Sequence, residues 1–345
     1  MKILTFSPIE LPYTVGARYT GLERLVVQFS EQWQKQGHDV TLLAHKDTDV
    51  PKGVKLLPCE GYIGNDRTIH AEQKAYMKYQ SDFYKYDVIW DIGHLHLIAR
   101  YMINMPTVNV MNHAPEHSMY PKAPYNLVSW SKWGVGQIRK YYHQASRYQE
   151  TIMVDPEVYK PKGKRGDRLL TLGRMSADKG NLNAILMCRK FGLKLDVAGG
   201  RGSEIHKGSG LTEYEQKIRE LCDGKDIIFH GEVSEEEKLD LMQKCRALIY
   251  VTQHTEITSH KVQEAMLVGA PVIIPKRGGL SEIVTNGVDG YLCASEADYV
   301  MALDHIDKLD PTKTREQVAL KYHPDTVSKG YIELFGKICN GERWK

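Results

Sequence analysis

Two cations in a short loop are the first residues of this sequence that could bind a charged group. Arg174 and Lys179 lie five residues apart in the stretch 173–180, which is bounded by glycines and runs from an apolar segment into a helical pattern. Arginine offers a fork of N–H donors to phosphate oxygens, and lysine offers a point charge. The spacing fits a diphosphate clamp and equally fits two solvated surface cations, so these residues alone leave both interpretations open.

Two glycine-rich turns have similar potential. Gly199 opens the turn 199–202 after an apolar run, where a simple flexible turn is an equally good explanation. Gly278 and Gly279 precede a helix start, and backbone N–H groups at such a start cradle phosphate.

A pair of carboxylates completes the candidate residues. Glu256 and Glu264 stand eight residues apart, the first in a loop and the second in the helix that follows. Backbone N–H groups at a loop-to-helix junction attract an anion, and carboxylates beside that anion could accept hydrogen bonds from sugar hydroxyls. An exposed acidic pair on a helix is the competing interpretation.

Short β-branched runs alternate with amphipathic helices along the chain and would position these residues. One helical face carries Leu22, Val26, Phe29 and Trp33, with the helix ending at Gly37. The predicted strands are 2–6, 39–44, 54–57, 87–90, 107–111, 126–129 and 151–154, then 168–172, 194–198, 226–230, 247–251 and 272–274. Such alternation predicts parallel sheets with helices on both faces.

The segment 155–167 contains prolines and glycines without apolar periodicity, which predicts an interdomain linker. We therefore expect an α/β protein of two doubly wound Rossmann-like domains, residues 1–160 and 161–322. A final helical segment, 323–345, has Pro324 in its first turn. Because ligands of such sheets bind outside the carboxyl ends of the strands, two facing domains would form one cleft.

Composition excludes several other classes of protein. The 345 residues are 42% hydrophobic and 26% charged, so the chain is neither disordered nor of low complexity. Its net charge of +3 is too small to indicate nucleic acid as a partner. The sequence has no apolar run near the roughly 20 residues of a membrane span. Six scattered cysteines without a CxxC pair indicate reduced thiols and a cytoplasmic location.

Taken in order, the four segments resemble the C-terminal domain of GT-B-fold glycosyltransferases, most closely glycosyltransferase family 4. That family has a Gly-Arg…Lys-Gly loop, a carboxylate pair with seven residues between, and a Gly-Gly-x-x-Glu loop. The resemblance is specific over residues 168–295 and diffuse over 50–150, although Gly21 and the stretch 37–41 also match. It implies the GT-B fold, with the final helix crossing back onto the first domain.

The resemblance also implies roles for individual residues. Arg174 and Lys179 would hold the diphosphate of a nucleotide sugar and stabilise charge on the departing phosphate. Glu264 would bind the ribose hydroxyls, Glu256 the transferred sugar, and His113 would reach the donor sugar from the first domain. The implied catalytic residues are His113, Arg174, Lys179 and Glu256. The implied donor-binding residues are Gly21, Arg174, Lys179, Gly199, Glu256, Thr258, Ser259, Glu264 and Gly279.

The implied activity is transfer of a sugar from a nucleotide diphosphate sugar to an acceptor hydroxyl, with retention at the anomeric carbon. No cofactor or metal is implied, because cations and helix N-termini supply the positive field. The acceptor would be a sugar, a lipid-linked molecule or a small molecule, and many relatives act on lipid-linked acceptors.

One departure from the family pattern keeps two alternatives open. Ile257, Thr258 and Ser259 replace the usual Gly-Phe-Gly, and Thr20 stands where a second glycine is common. Glycines there let the backbone approach the sugar, whereas Thr and Ser offer hydroxyls. A catalytically silent nucleotide-sugar-binding protein and a nucleotide-sugar epimerase of the same fold are the alternatives.

Four weaker signals have simpler structural interpretations. The Asp-x-Asp at 47–49 favours a hydrophilic turn over a metal–diphosphate site, and the pair His94 and His96 favours a polar loop over a metal site. The stretch 131–148 favours a half-buried helix over a helix that contacts a membrane surface peripherally. Tyrosines in 76–86 fit either an acceptor groove or inward packing.

Overall fold

A computed structural model describes residues 1–9, 11–16, 21–61, 68–113, 124–200 and 213–345, with the side chains of 68–70 excepted. Thr20 and the second half of the glycine turn at 199–202 therefore lie outside the described residues. The chain forms two compact units, Met1–Met153 with Pro324–Lys345, and Val154–His323.

The strands and helices follow the predicted alternation. The strands are β1 Lys2–Phe6, β2 Asp39–His45, β3 Lys55–Cys59, β4 Val88–Asp91, β5 Thr107–Met111, β6 Leu127–Ser129, β7 Arg147–Tyr148, β8 Leu169–Leu172, β9 Leu195–Ala198, β10 Ile227–Gly231, β11 Leu248–Ile249, β12 Val272–Pro275 and β13 Gly290–Cys293. The α-helices are α1 Gly21–Lys35, α2 Thr68–Tyr79, α3 Leu97–Tyr101, α4 Lys132–Tyr142, α5 Asn181–Phe191, α6 Glu213–Leu221, α7 Glu235–Lys244, α8 His260–Leu267, α9 Glu296–His305, α10 Pro311–Lys321 and α11 Pro324–Cys339.

Each unit contains a parallel sheet. Within the described residues the first sheet has the order β3-β2-β1-β4-β5-β6-β7 and the second has β10-β9-β8-β11-β12-β13. The order reverses between β1 and β4 in the first sheet and between β8 and β11 in the second, which is the topological switch point where α/β sheets bind ligands. Two doubly wound parallel α/β sheets are confirmed.

The prediction of a strand at 151–154 is wrong, because the short strand β7 precedes it and pairs with β6. The segment is apolar because it is buried. The Thr151 hydroxyl lies 2.8 Å from that of Tyr331, and the Val154 N–H donates to the Tyr322 carbonyl. Burial without a ladder partner produces the same residue types as a strand.

The last helix, α11, completes the first unit. Trp33 of α1 donates its indole N–H to the Ser328 carbonyl at 3.2 Å. Tyr331 and Phe335 pack against Trp33, and Tyr331 also packs edge-on against Trp90 of β4. These rings are fully buried, so α11 covers one face of the first sheet.

The weaker signals resolve into packing and turns. Tyr79 and Phe83 are buried and Tyr76 packs against Phe83, so this tyrosine-rich segment packs inward, although Tyr84 is exposed. Helix α4 is half-buried around Ile138. Asp47 lies in a turn, and Asp49 just after it accepts the Val15 N–H at 2.7 Å. Among the described helices, none combines the length and apolar character of a membrane span.

Candidate functional site

The loop 173–180 leaves β8 at the switch point of the second sheet. Backbone hydrogen bonds join its start to the end of β9 and the residues after it. Gly173 donates its N–H to the Ala198 carbonyl, and Met175 donates to that of Gly200. A Cβ atom at Gly199 would lie 1.9 Å from the Gly173 carbonyl oxygen, and φ at Gly199 is +146°. Only glycine allows this approach, so Gly199 joins the ends of β8 and β9.

The far end of the same loop is fixed against the end of β11. Gly180 has φ +67°, and a Cβ there would lie 2.1 Å from the Val251 carbonyl oxygen. The Thr252 hydroxyl donates to the Asp178 carbonyl, and Asn183 donates its side-chain N–H to the Val251 carbonyl. The backbone between Arg174 and Lys179 is thus anchored on both sides.

Lys179 and Glu256 are brought together at the carboxyl ends of β8 and β11. The Lys179 ammonium lies 2.5 Å from Glu256 Oε1, with about a quarter of the lysine side chain exposed and about a tenth of the glutamate. Tyr250 also donates its hydroxyl to Oε1. Within the described part of the chain, Glu256 Oε2 accepts no hydrogen bond, so the carboxylate keeps an unused acceptor.

Electrostatics keep Glu256 ionised. Burial acts to raise the pKa of this carboxyl, but the ammonium groups of Lys179 and Lys261, together with the Lys179 and Tyr250 hydrogen bonds, outweigh it and lower the pKa. Burial and the adjacent Glu256 charge raise the pKa of the Tyr250 phenol. Tyr250 therefore acts as a hydrogen-bond donor.

The turn after β12 positions Glu256 from its backbone side. Gly279 donates its N–H to the Glu256 carbonyl at 2.9 Å. Gly278 has φ +58°, and a Cβ there would lie 2.6 Å from the same oxygen. The structure thus places Gly279 behind Glu256, with its own N–H engaged by the protein.

Arg174 lies at the rim of this site. Its guanidinium contacts Asp178 Oδ2 at 3.2 Å and Ser176 Oγ at 3.2 Å, and 40% of its side chain is exposed. Burial opposes ionisation of Asp178, but the Ser176 hydrogen bond and the Arg174, Lys179 and His254 charges lower its pKa. Asp178 thereby orients the arginine and leaves it accessible.

Glu264 occupies a separate, buried position on α8. Tyr159 donates its hydroxyl to Oε1 at 2.7 Å, and the Lys238 ammonium lies 3.2 Å from the carboxylate. Tyr159 belongs to the segment predicted as a linker, which instead packs within the second unit. The orientation of Glu264 is therefore set by two residues that the sequence did not single out.

The segment that departs from the family pattern is packed into the start of α8. Ile257 is buried, and Thr258 Oγ1 accepts a hydrogen bond from the Gln263 amide at 3.2 Å. Ser259 is the N-cap residue of α8 and is also buried.

His113 and Gly21 belong to the first unit. His113 Nδ1 lies 2.6 Å from Asn112 Oδ1, and its ring centre lies 6.3 Å from that of His94. The loop carrying His94 is held by Glu72, whose carboxylate accepts the N–H groups of His94 and Leu95 at 2.7 and 2.8 Å. Gly21 begins α1 with open space around its Cβ position.

Sequence reasoning missed Tyr250, Lys261, Tyr159 and Lys238. Lys261 lies between the two glutamates, so its position in that motif was a usable signal. Tyr250, Tyr159 and Lys238 lie outside the motifs, and only the fold brings them close to the two glutamates.

A cavity of about 470 Å³ lies at the carboxyl ends of β11, β12 and β13, between α5 and α9. Its lining includes Asn183, Thr252, Arg277 and Tyr299, and none of the residues predicted to bind the donor.

Comparison with known proteins finds a family match for the second half of the chain and a fold match for nearly all of it. Residues 158–319 match the family model "Glycosyl transferases group 1". A lipopolysaccharide 1,2-N-acetylglucosaminetransferase of Salmonella typhimurium is 30% identical over 168 residues, which are 47% of this chain and 44% of that protein. The aligned segment therefore spans less than half of that curated relative.

Two solved structures cover nearly the whole chain. AviGT4, a glycosyltransferase involved in avilamycin A biosynthesis, has a TM-score of 0.72 at 21% identity and covers 100% of this chain and 99% of its own. Anabaena HepE in complex with UDP-glucose has a TM-score of 0.73 at 15% identity, with 98% and 100% covered. The fold is that of the GT-B glycosyltransferases, as predicted.

Proposed function

We propose that this protein is a glycosyltransferase that moves a sugar from a nucleotide diphosphate sugar to an acceptor hydroxyl, with retention at the anomeric carbon. The observation that carries the proposal is the ion pair of Lys179 with Glu256 at the switch point of the second sheet. It joins a cation suited to a diphosphate with a carboxylate suited to sugar hydroxyls, within the segment that matches the glycosyltransferase family model.

In the proposed reaction the bond between the anomeric carbon and the diphosphate oxygen breaks, and its electron pair leaves with the diphosphate. The acceptor oxygen forms the new bond on the same face, and its proton passes to the departing phosphate oxygen. Lys179 and Arg174 stabilise the negative charge that develops on that oxygen. Glu256 uses its unused Oε2 to accept a hydrogen bond from the sugar.

Donor identity is tested by thermal unfolding with UDP, GDP, ADP and their common sugar conjugates, with and without EDTA. A ligand at 100 times its Kd adds about 2.7 kcal/mol to the free energy of unfolding, which raises Tm by a few degrees. We expect a selective shift that survives EDTA and is lost in K179A. Lys244, an exposed lysine of the same unit paired only locally with Asp240, supplies the control variant K244A, which should keep the shift. No shift with any nucleotide would contradict the proposal.

Retention is tested once the donor is known. The anomeric configuration of the product, read from the proton coupling constant at the new linkage, should equal that of the donor. An inverted product would rule out the same-face mechanism. His113 stays a predicted participant, for which H113N should lower kcat and leave nucleotide affinity unchanged.

A second candidate is a protein that binds the nucleotide sugar without turnover. It is favoured by the buried Ile257 in place of the family's glycine. Binding in calorimetry without donor consumption across an acceptor panel would support it. Conversion of the donor sugar without any acceptor would instead indicate an epimerase.

A further inference from the structure

A lysine occupies the first turn of α8, where a cation is unfavourable. Lys261 follows His260 at the start of this helix, whose backbone dipole places partial positive charge there. Helix stability therefore does not explain this residue, whereas its contacts with the candidate site do.

The Lys261 ammonium is enclosed between the ends of two strands. It donates to the Leu172 carbonyl, the last of β8, at 2.6 Å, and lies 3.3 Å from the centre of the Tyr250 ring. A Cβ atom at Gly173 would lie only 3.2 Å from the same nitrogen. Lys261 thus supports the first residue of the 173–180 loop from behind.

Titratable groups from three elements face this ammonium. They are Glu256 before α8 and Asp178 and Lys179 in the loop after β8, and the neutral phenol of Tyr250, following β11, faces it as well. Burial lowers the pKa of Lys261 to about 7, Lys179 lowers it as well, and Glu256 and Asp178 oppose that change. The Glu256 charge thus acts on two lysines, Lys179 in direct contact and Lys261 at longer range.

We propose that Lys261 is a positioning residue of the donor site: it ties the end of β8 to Tyr250, whose hydroxyl donates to Glu256, and so holds the 173–180 loop and the Glu256 carboxylate ready for a nucleoside diphosphate. The inference rests on the proposed function, because it assigns the ligand of that same site. It also gives Lys261 a measurable link to the ligand, since a diphosphate bound nearby favours the charged lysine and binding takes up a proton.

The experiment measures the affinity of UDP, GDP and ADP between pH 7.5 and 9.5 by calorimetry, for the wild type, K261R and K261M. This range lies above the titration of the terminal phosphate, whose pKa is about 6. Wild-type affinity should fall about tenfold as the pH rises, because an increasing share of Lys261 is neutral before binding. K261R keeps its charge and should change less than twofold, and K261M should be weak and flat throughout.

Proton uptake by the wild type gives a second readout that needs no variant. Binding enthalpies at pH 8 in buffers of different ionisation enthalpy should show uptake of a fraction of a proton, which a purely structural lysine would not produce. Tight nucleotide binding without this uptake, or K261M that binds as tightly as the wild type at pH 7.5, would overturn the assignment of Lys261 alone. Absence of binding by all three nucleotides would overturn the proposed function beneath it.

Discussion

The carboxyl ends of the strands are organised differently in the two units. In the first unit Glu72 is buried and accepts two backbone N–H groups of the loop after β4, those of His94 and Leu95. In the second unit Glu256 instead accepts side-chain donors, from Lys179 and Tyr250.

The difference shows what each carboxylate can do. Backbone N–H donors such as those on Glu72 fix a loop, and they cannot turn toward a ligand without moving the backbone. A carboxylate bonded to an ammonium leaves that cation free to share its remaining protons with an arriving anion. Glu72 in the first unit thus holds a loop rigidly, whereas Glu256 in the second unit can exchange hydrogen-bond partners.

The largest effect should come from G199A. The added methyl group would meet the Gly173 carbonyl oxygen at a positive φ, and overpacking and backbone strain each cost roughly 1–3 kcal/mol. We expect the free energy of unfolding, measured by denaturant titration, to fall by about 3 kcal/mol or more. G21A, in the open first turn of α1, should leave stability within about 1 kcal/mol of the wild type. Equal stability of the two variants would show that Gly199 is not a packing requirement.

Two isosteric changes test the comparison itself. E72Q should lower the free energy of unfolding by about 1.5–3 kcal/mol, because one of two buried N–H groups loses its charged acceptor. E256Q should lower Tm less, since Lys179 is partly exposed and can turn to water, but should reduce kcat about 100-fold. E31Q on α1, where the Glu31 side chain is 43% exposed and pairs with Lys35, serves as the stability control. If E72Q lowered kcat and E256Q unfolded the protein, the two carboxylates would have the opposite roles.

R174A should weaken nucleoside diphosphate affinity at least tenfold, since a charge-assisted hydrogen bond is worth about 1.5–3 kcal/mol. Calorimetry on R174A and on K244A, whose lysine is 68% exposed and paired only locally, separates a specific contact from general charge loss. Unchanged affinity in R174A would remove Arg174 from the diphosphate clamp.

The smallest effect concerns the pH dependence of stability. The folded pKa of Lys261, about 7, lies below its ordinary value of 10.5, so the unfolded chain binds more protons between these values. Wild-type stability should therefore rise relative to K261M between pH 7 and 9, by on the order of 1 kcal/mol per pH unit. Denaturant titrations at pH 7, 8 and 9 measure this difference, and parallel curves would show that folding does not lower the pKa of this lysine.

Local pattern predicted the fold well because strand runs and helical faces are properties of neighbouring residues. Thr107–Met111 is a strand at the predicted bounds, and Val26, Phe29 and Trp33 are buried on one face of α1. The segment 151–154 failed because its burial comes from residues about 170 positions later.

The sequence predicted the central pair of the candidate site but not the residues that support it. Lys179 and Glu256 belong to motifs with recognisable spacing, and their ion pair follows from the switch point that the fold creates. Lys261 lies inside a recognisable motif, but the sequence did not predict its role. That role depends on contacts with a β8 carbonyl and the Tyr250 ring, which no local pattern places beside it. Tyr159 was hidden in a segment whose prolines and glycines indicated a linker.

The return of α11 to the first unit affects the order in which the chain can fold during synthesis. Residues 154–323 leave the ribosome while Trp33 and Trp90 still lack their partners Tyr331 and Phe335, which are made later. The second unit therefore has all its residues before the first, and the half-built first unit exposes an aromatic surface until α11 has emerged. A nascent chain halted before residue 324 would present that surface to chaperones, whereas a chain whose helix α11 has left the ribosome would have covered it.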